Sequence, residues 1–409
     1  MSRKTVTCFK RITAVLSSVF LTSAAFAGAG LIANASATSI TRISGNTRYE
    51  TMEMVSQTAF PSTTSRVAVV ASGSSFPDAL AASSLAGHLN APILLTDPKT
   101  LSNATINELN RLDANTIYII GGKNAVSSNT ENEIRTSRPS ATITRLAGST
   151  RFDTAYQIYN ELTKLGVESK TAIISTGANF ADALSVSPYS YMQSAPFFLS
   201  SQSGLDEESL TALKDFQSAI IVGGQNAVPS SVEQQLRSIG VATSRIQGAT
   251  RYETSLEISK FTLNNLSINP SSVVYATGAN FPDALSGSAL AGINKTVLLL
   301  AQNESSPTVG ASSILPDVES VYVLGGQNAI GPATFNAISS SFGLSDREYV
   351  PRPTPTPQPK PNDPVYGTHK AGEFCKKSDL NKTDHDARNG KLIVCKVADG
   401  DNKPRWHYV

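Results

Sequence analysis

The sequence predicts an α/β protein: three parallel-sheet modules in tandem, followed by a small disulfide-linked C-terminal module. Three observations carry this. One pattern recurs three times, about a hundred residues apart. Within each copy, short β-branched runs alternate with helix-like stretches. The two cysteines beyond residue 8, Cys375 and Cys395, fall together near the C-terminus. Strands that alternate with helices at this spacing pair in parallel, because each return to the same side of a sheet needs a crossover.

The pattern has three blocks in fixed order. The first reads Arg42-Ile-Ser-Gly-Asn-Thr-Arg-Tyr-Glu-Thr51, Arg145-Leu-Ala-Gly-Ser-Thr-Arg-Phe-Asp-Thr154 and Arg245-Ile-Gln-Gly-Ala-Thr-Arg-Tyr-Glu-Thr254. The second reads Gly73-Ser-Ser-Phe-Pro-Asp-Ala-Leu80, Gly177-Ala-Asn-Phe-Ala-Asp-Ala-Leu184 and Gly278-Ala-Asn-Phe-Pro-Asp-Ala-Leu285. The third reads Gly121-Gly-Lys-Asn-Ala-Val126, Gly223-Gly-Gln-Asn-Ala-Val228 and Gly325-Gly-Gln-Asn-Ala-Ile330.

In the first copy the spacing predicts a helix over 51–60, with Met52, Val55 and Ala59 on one stripe. Residues 66–72 form a β-branched run that stops at Gly73, the mark of a buried strand. Pro77 opens a helix that runs to residue 89, since proline fits a first helical turn. Residues 91–96 contain Pro-Ile-Leu-Leu and read as a second strand. A helix over 105–112, a strand over 116–120, a helix over 127–136 and a strand over 141–146 follow. That last strand runs into the next copy. A unit of this length can enclose its own core, so the copies are domains, at 38–144, 145–244 and 245–350, rather than turns of a thin solenoid.

The ends read differently. Residues 1–37 carry four basic residues and no acid, then an apolar small-residue stretch that ends in Ala35-Ser-Ala37. This is the form of a cleaved secretory signal rather than a retained anchor. Residues 351–364 hold seven prolines in fourteen positions, a semi-rigid extended linker. Residues 365–409 form a small module with both remaining cysteines and the single tryptophan, Trp406. A piece this short needs a Cys375–Cys395 disulfide to hold together. The histidines there, His369, His385 and His407, lack metal-ligand spacing, and no metal or cofactor is expected.

Charge limits the partners. Residues 38–350 contain 19 basic and 25 acidic side chains, a net of −6, whereas the segment from 351 onward is net +4. A mildly acidic array does not suit nucleic acid, and outside the signal no stretch is long enough for a membrane span.

The Gly-Gly pairs sit where strands should meet helices. They lack the spacing of a dinucleotide or phosphate loop, so they read as tight turns. Asp78, Asp182 and Asp283 are expected in the first turn of a helix, where the macrodipole favours a carboxylate. Each could meet Arg48, Arg151 or Arg251, from its own copy or the next, either as a structural ion pair or as part of a ligand site. No catalytic residues are expected. His88 is the one histidine in the repeats, and the plentiful serines have no base to activate them.

With these blocks in view, the repeats resemble the cell wall binding repeat type 2 family, over roughly residues 40–342. The resemblance implies flavodoxin-like α/β modules around a pseudo-threefold axis, and noncovalent anchoring to an anionic polymer of a Gram-positive wall. It associates anchoring with an Ile-Leu-Leu tripeptide, matched by Ile93-Leu94-Leu95 and replaced by Phe197-Phe198-Leu199 and Leu298-Leu299-Leu300 in the later copies. Copy two also carries Tyr191 where the others have Gly87 and Gly292. The C-terminal module resembles two-cysteine tails of actinobacterial surface proteins. The function expected is therefore that of an exported, non-enzymatic wall protein. It would hold the polymer through Arg48, Arg151, Arg251, Asp78, Asp182, Asp283 and Ile93-Leu94-Leu95, with an extracellular partner for the C-terminal module. The alternatives are a wall hydrolase or amidase modifier, and an adhesin that acts through that module.

Overall fold

A computed structural model describes residues 37, 39–62, 65–344, 369–388, 391–397 and 403–409. The expected signal segment up to residue 36 and the proline-rich linker lie outside the described residues. The described chain divides into two units, the repeats and the C-terminal module.

The repeat unit opens with β1 (Ser39–Ile43) and α1 (Arg48–Ala59). The first module continues with β2 (Val67–Ser72), α2 (Ala82–His88), β3 (Ile93–Thr96), α3 (Asn103–Arg111), β4 (Thr116–Ile120), α4 (Ser128–Ser137) and β5 (Thr142–Leu146). The second runs through α5 (Arg151–Lys164), β6 (Thr171–Thr176), α6 (Ala181–Gln193), β7 (Phe197–Ser200), α7 (Glu207–Leu213), β8 (Ser218–Val222), α8 (Ser230–Ser238) and β9 (Ala242–Ile246). The third has α9 (Arg251–Leu266), β10 (Ser272–Thr277), α10 (Pro282–Ile293), β11 (Leu298–Ala301), β12 (Ser320–Leu324) and α11 (Pro332–Ser341). A 3-10 segment, Pro307–Ile314, replaces the helix that α3 and α7 supply elsewhere.

Three four-stranded parallel sheets result, with orders β3-β2-β4-β5, β7-β6-β8-β9 and β11-β10-β12-β1. Counted within a module, each order is 2-1-3-4, the start of the flavodoxin arrangement. The first two sheets take their fourth strand from the chain that leads into the next copy. The third takes it from the N-terminus: β1 lies parallel to β12, from Ser39 opposite Ser320 to Ile43 opposite Leu324. The sequence repeat and the folded module are therefore out of phase. A sheet that begins in copy one ends at Leu146, past the expected boundary at 144, and the sheet of copy three is closed by residues 39–43.

The helices after the second block, α2, α6 and α10, pack on one another, which places the three modules around a pseudo-threefold axis. One apolar core runs from Ile43 through Leu324 and spans all three modules. The copy-two tyrosine is explained at this junction. A Cβ added to Gly87 would lie 1.9 Å from the Tyr191 carbonyl oxygen, and one on Gly292 would lie 2.3 Å from the Tyr191 ring. Three equivalent positions converge, and one tyrosine with two glycines fills the space. The Tyr191 hydroxyl donates to the Ala91 carbonyl at 3.2 Å, buried between modules.

The C-terminal module is an antiparallel sheet of β13 (Thr383–His385), β14 (Leu392–Lys396) and β15 (Arg405–Tyr408), in that order. The Cys375–Cys395 disulfide forms as expected. It lies with Trp406 and Ile393 in a core of a few residues, which is too little apolar burial to hold so short a segment without a crosslink.

Candidate inter-repeat clefts

The repeated blocks are explained first by how they build the ends of the sheets. In each first block a threonine caps the following helix. Thr150 and Thr250 form full capping boxes with Asp153 and Glu253, and Thr47 accepts from the Glu50 N–H. The block's last threonine reaches back, so that Thr51, Thr154 and Thr254 hydroxyls accept from the N–H of Gly45, Gly148 and Gly248 at 3.0–3.1 Å. A glycine is required there, because an added Cβ would lie 2.1–2.4 Å from the acidic residue at the helix start.

The first arginine of each block, which sequence reasoning passed over, anchors the loop backwards. Arg42, Arg145 and Arg245 donate to the carbonyls of Gly325, Gly121 and Gly223 at 2.6–2.8 Å. Arg145 and Arg245 also pair with Glu131 and Glu233. At the matching place in copy three stands Phe335, and Arg42 stacks over its ring at 4.7 Å. The second arginine anchors the loop forwards: Arg48, Arg151 and Arg251 donate to the Gly73, Gly177 and Gly278 carbonyls at 2.5–2.7 Å. Each block thus joins two modules, one arginine to each.

Because of the phase shift, the three blocks meet only between copies. In the second module, the segments that follow β6, β8 and β9 bring Asp182, Gln225 and Arg251 together. They line an open cleft of about 440 Å³. In the third, the loops after β10, β12 and β1 bring together Asp283, Gln327 and Arg48 around about 490 Å³. In the first module the loops after β2, β4 and β5 carry Asp78, Lys123 and Arg151 at the matching positions. All three lie at the carboxyl ends of parallel strands, the usual place for ligands in such sheets. Asp182 therefore shares a cleft with Arg251 of the next copy, and Asp283 with Arg48 of the first.

Asp182 and Asp283 lie in the first turn of α6 and α10 as expected. Asp78 instead precedes a short 3-10 turn, Ala79–Ala81. The carboxylates do not form close ion pairs with the arginines. Burial pushes the Asp283 pKa up to about 6, against the pull of Arg48, and raises that of Asp182 against Arg251. The first glycine of each Gly-Gly pair makes room for the carboxylate. Gly121, Gly223 and Gly325 have φ of +100°, +105° and +88°. A Cβ on any of them would lie 2.4–2.7 Å from Asp78, Asp182 or Asp283 Oδ2. These are turn glycines required by geometry, as their spacing suggested.

A second feature lies between the clefts. Phe76, Phe180 and Phe281, one from each second block, form a triangle with ring centroids 5.4–6.2 Å apart. Arg251 stacks over Phe180 at 5.6 Å. Recurrence of phenylalanine in all three copies was the available signal for this contact.

Ile93, Leu94 and Leu95 form β3 and are 0–1% exposed. As placed they show no surface to a polymer. Their side chains pack the core, as do those of Phe197-Phe198-Leu199 and Leu298-Leu299-Leu300. Each of these two clefts is lined by one carboxylate, Asp182 or Asp283. Among the described residues no cluster of three or more His, Cys, Asp or Glu could hold a metal ion, and no helix is long and apolar enough to cross a membrane.

A family model, cell wall binding domain 2, matches residues 42–131, 145–233 and 245–335. The chain belongs to this family. It carries three cell wall binding domains in tandem, and each match begins at the first arginine of a first block. The chain is similar to the N-acetylmuramoyl-L-alanine amidase LytC of Bacillus subtilis (strain 168), 32% identical over 74% of this chain and 58% of that one. It is also similar to the amidase enhancer of the same organism, 30% identical over 75% and 41%. The chain thus spans about half the length of these relatives. Among solved structures, Cwp8 and Cwp6 from Clostridium difficile superpose with a TM-score of 0.67 each, at 26% and 25% identity. They match 75% of this chain, and 52% and 48% of their own. The tandem cell wall binding domains thus account for the repeat unit, and the C-terminal module lies outside the matched residues.

Proposed function

We propose that this is an exported, non-enzymatic protein that anchors noncovalently to an anionic polymer of the cell wall through the clefts between its repeats. One observation carries the reading: three motif blocks, far apart in the chain, converge on each cleft, and the convergence recurs around the axis. In each cleft Arg48, Arg151 or Arg251 supplies a positive charge within a repeat region of net −6. Single contacts of this kind are weak. Several clefts engaging one repeating polymer gain through effective concentration.

Co-sedimentation with purified walls tests this. The mature chain should pellet with intact walls and remain in solution with walls stripped of anionic polymer. Equal pelleting with stripped walls would contradict it. The amidase and amidase-enhancer relatives favour a second reading, in which the chain acts with a wall hydrolase or cleaves walls itself. Zymography separates the two: the binding reading expects no lytic band from the purified chain.

A further inference from the structure

The Asp283 carboxylate is 92% buried by residue, lines the third cleft and has no hydrogen-bond or ion-pair partner among the described residues. Burial of a carboxylate without a partner carries a desolvation cost, and this residue lines an open cleft. Arg48 stands across from it. One Arg48 N–H group is engaged by the Gly73 carbonyl, and the residue lines the same space. The remaining polar lining, including Asn280, Gln327 and Asn328, is uncharged. The second cleft repeats the set with Asp182, Arg251, Asn179 and Gln225.

This lining discriminates among ligands by charge. A phosphate or carboxylate drawn to Arg48 meets the Asp283 carboxylate. A cation drawn to Asp283 meets the guanidinium. A hydroxyl satisfies both, since it donates to the carboxylate and accepts from the guanidinium. Neighbouring hydroxyls on a sugar ring can do so together, and the amides at the rim supply further donors and acceptors. We propose that the clefts at Asp283–Arg48 and Asp182–Arg251 bind an uncharged sugar unit of the polymer through its hydroxyls, and not the polymer's anionic group. The first cleft differs, because Lys123 replaces the glutamines and adds a positive charge.

This deepens the wall-binding reading and rests on it. Saturation-transfer NMR tests it on the whole mature chain, with methyl α-D-glucopyranoside and methyl N-acetyl-β-D-glucosaminide as neutral probes and inorganic phosphate as competitor. The wild-type chain should give a glycoside signal that phosphate does not displace. The double variant Asp182→Asn, Asp283→Asn should weaken it about tenfold, the loss of one charge-assisted hydrogen bond. Asparagine matches the aspartate in shape, and a thermal melt checks the fold. Absence of a glycoside signal, displacement by phosphate, or an equal signal from the variant would each overturn the proposal. Wall co-sedimentation on the same samples separates the two failures. If the chain still pellets with intact walls, only the sugar assignment fails; if it does not, the wall-binding reading fails as well.

Discussion

The Arg42 guanidinium donates to the Gly325 carbonyl at 2.8 Å, tying the start of the first copy to the end of the third across 283 residues. This bond and the β1–β12 pairing close what would otherwise be an open row of three modules. They also complete the third cleft, whose arginine follows β1. Arg42→Ala should therefore lower stability by about 1.5–3 kcal/mol, the range for a charged hydrogen bond, with the lost stacking on Phe335 adding to it. Urea unfolding of the variant checks this. An unchanged midpoint would show that β1 is not an integral strand of the third sheet.

Packing at the axis makes a second prediction. Gly87→Ala forces a methyl group against the Tyr191 backbone, which no rotamer change relieves, so it should cost about 3 kcal/mol or more. Gly292→Ala meets the Tyr191 side chain, its Cβ included. Its cost should shrink in a Tyr191→Gly background, where that side chain is gone. A double-mutant cycle on melting data measures the coupling. Additive effects would contradict the convergence of these positions.

The raised pKa of Asp283 gives stability a particular pH dependence. The folded carboxyl holds its proton to about pH 6, against an ordinary value of 3.8. The folded state therefore binds more protons than the unfolded state between these values, and stability falls as pH rises through that window. Asp283→Asn removes the ionisation. It should match wild type below about pH 4 and exceed it above pH 6 by up to about 3 kcal/mol. Melts across this range check it. A variant less stable than wild type at neutral pH would mean that the carboxylate has a favourable partner in the fold.

The C-terminal module should depend on its crosslink. The disulfide spans 20 residues, for which chain entropy suggests about 3 kcal/mol. Trp406 is 2% exposed and is the chain's one tryptophan. Reduction should shift its emission to the red and leave the main melting transition of the repeats in place. Unchanged emission would show that the module holds without the bond.

Much of the fold was legible because local pattern and global fold agree. The strand expected at 116–120 is β4, and that at 141–146 is β5, starting one residue later. Helix α1 begins at Arg48 rather than 51 because Thr47, three residues earlier than the expected start allowed, is its cap. What was hidden depends on contacts between distant segments. Nothing local in residues 39–43 says that they pair with β12, so the phase of the modules leaves no mark in the repeat itself. The arginines at 48, 151 and 251 were recognisable by recurrence, but their partner carbonyls were not. Neither was the role of Arg42, Arg145 and Arg245, since a backbone acceptor leaves no mark in a sequence. Ile93-Leu94-Leu95 shows the converse: a motif tied to anchoring by resemblance is, by burial, a core strand.

The most direct test of the central claim uses cleft side chains that the fold does not need. Lys123, Gln225 and Gln327 are exposed and occupy the same place in the third block; Gln225 and Gln327 line their clefts. The measurement is co-sedimentation of Lys123→Glu, Gln225→Glu, Gln327→Glu with intact walls beside the wild-type chain. With melting unchanged, retention should fall by about tenfold or more as three carboxylates enter the clefts. A triple variant that folds normally and is retained like wild type would contradict polymer binding at these clefts.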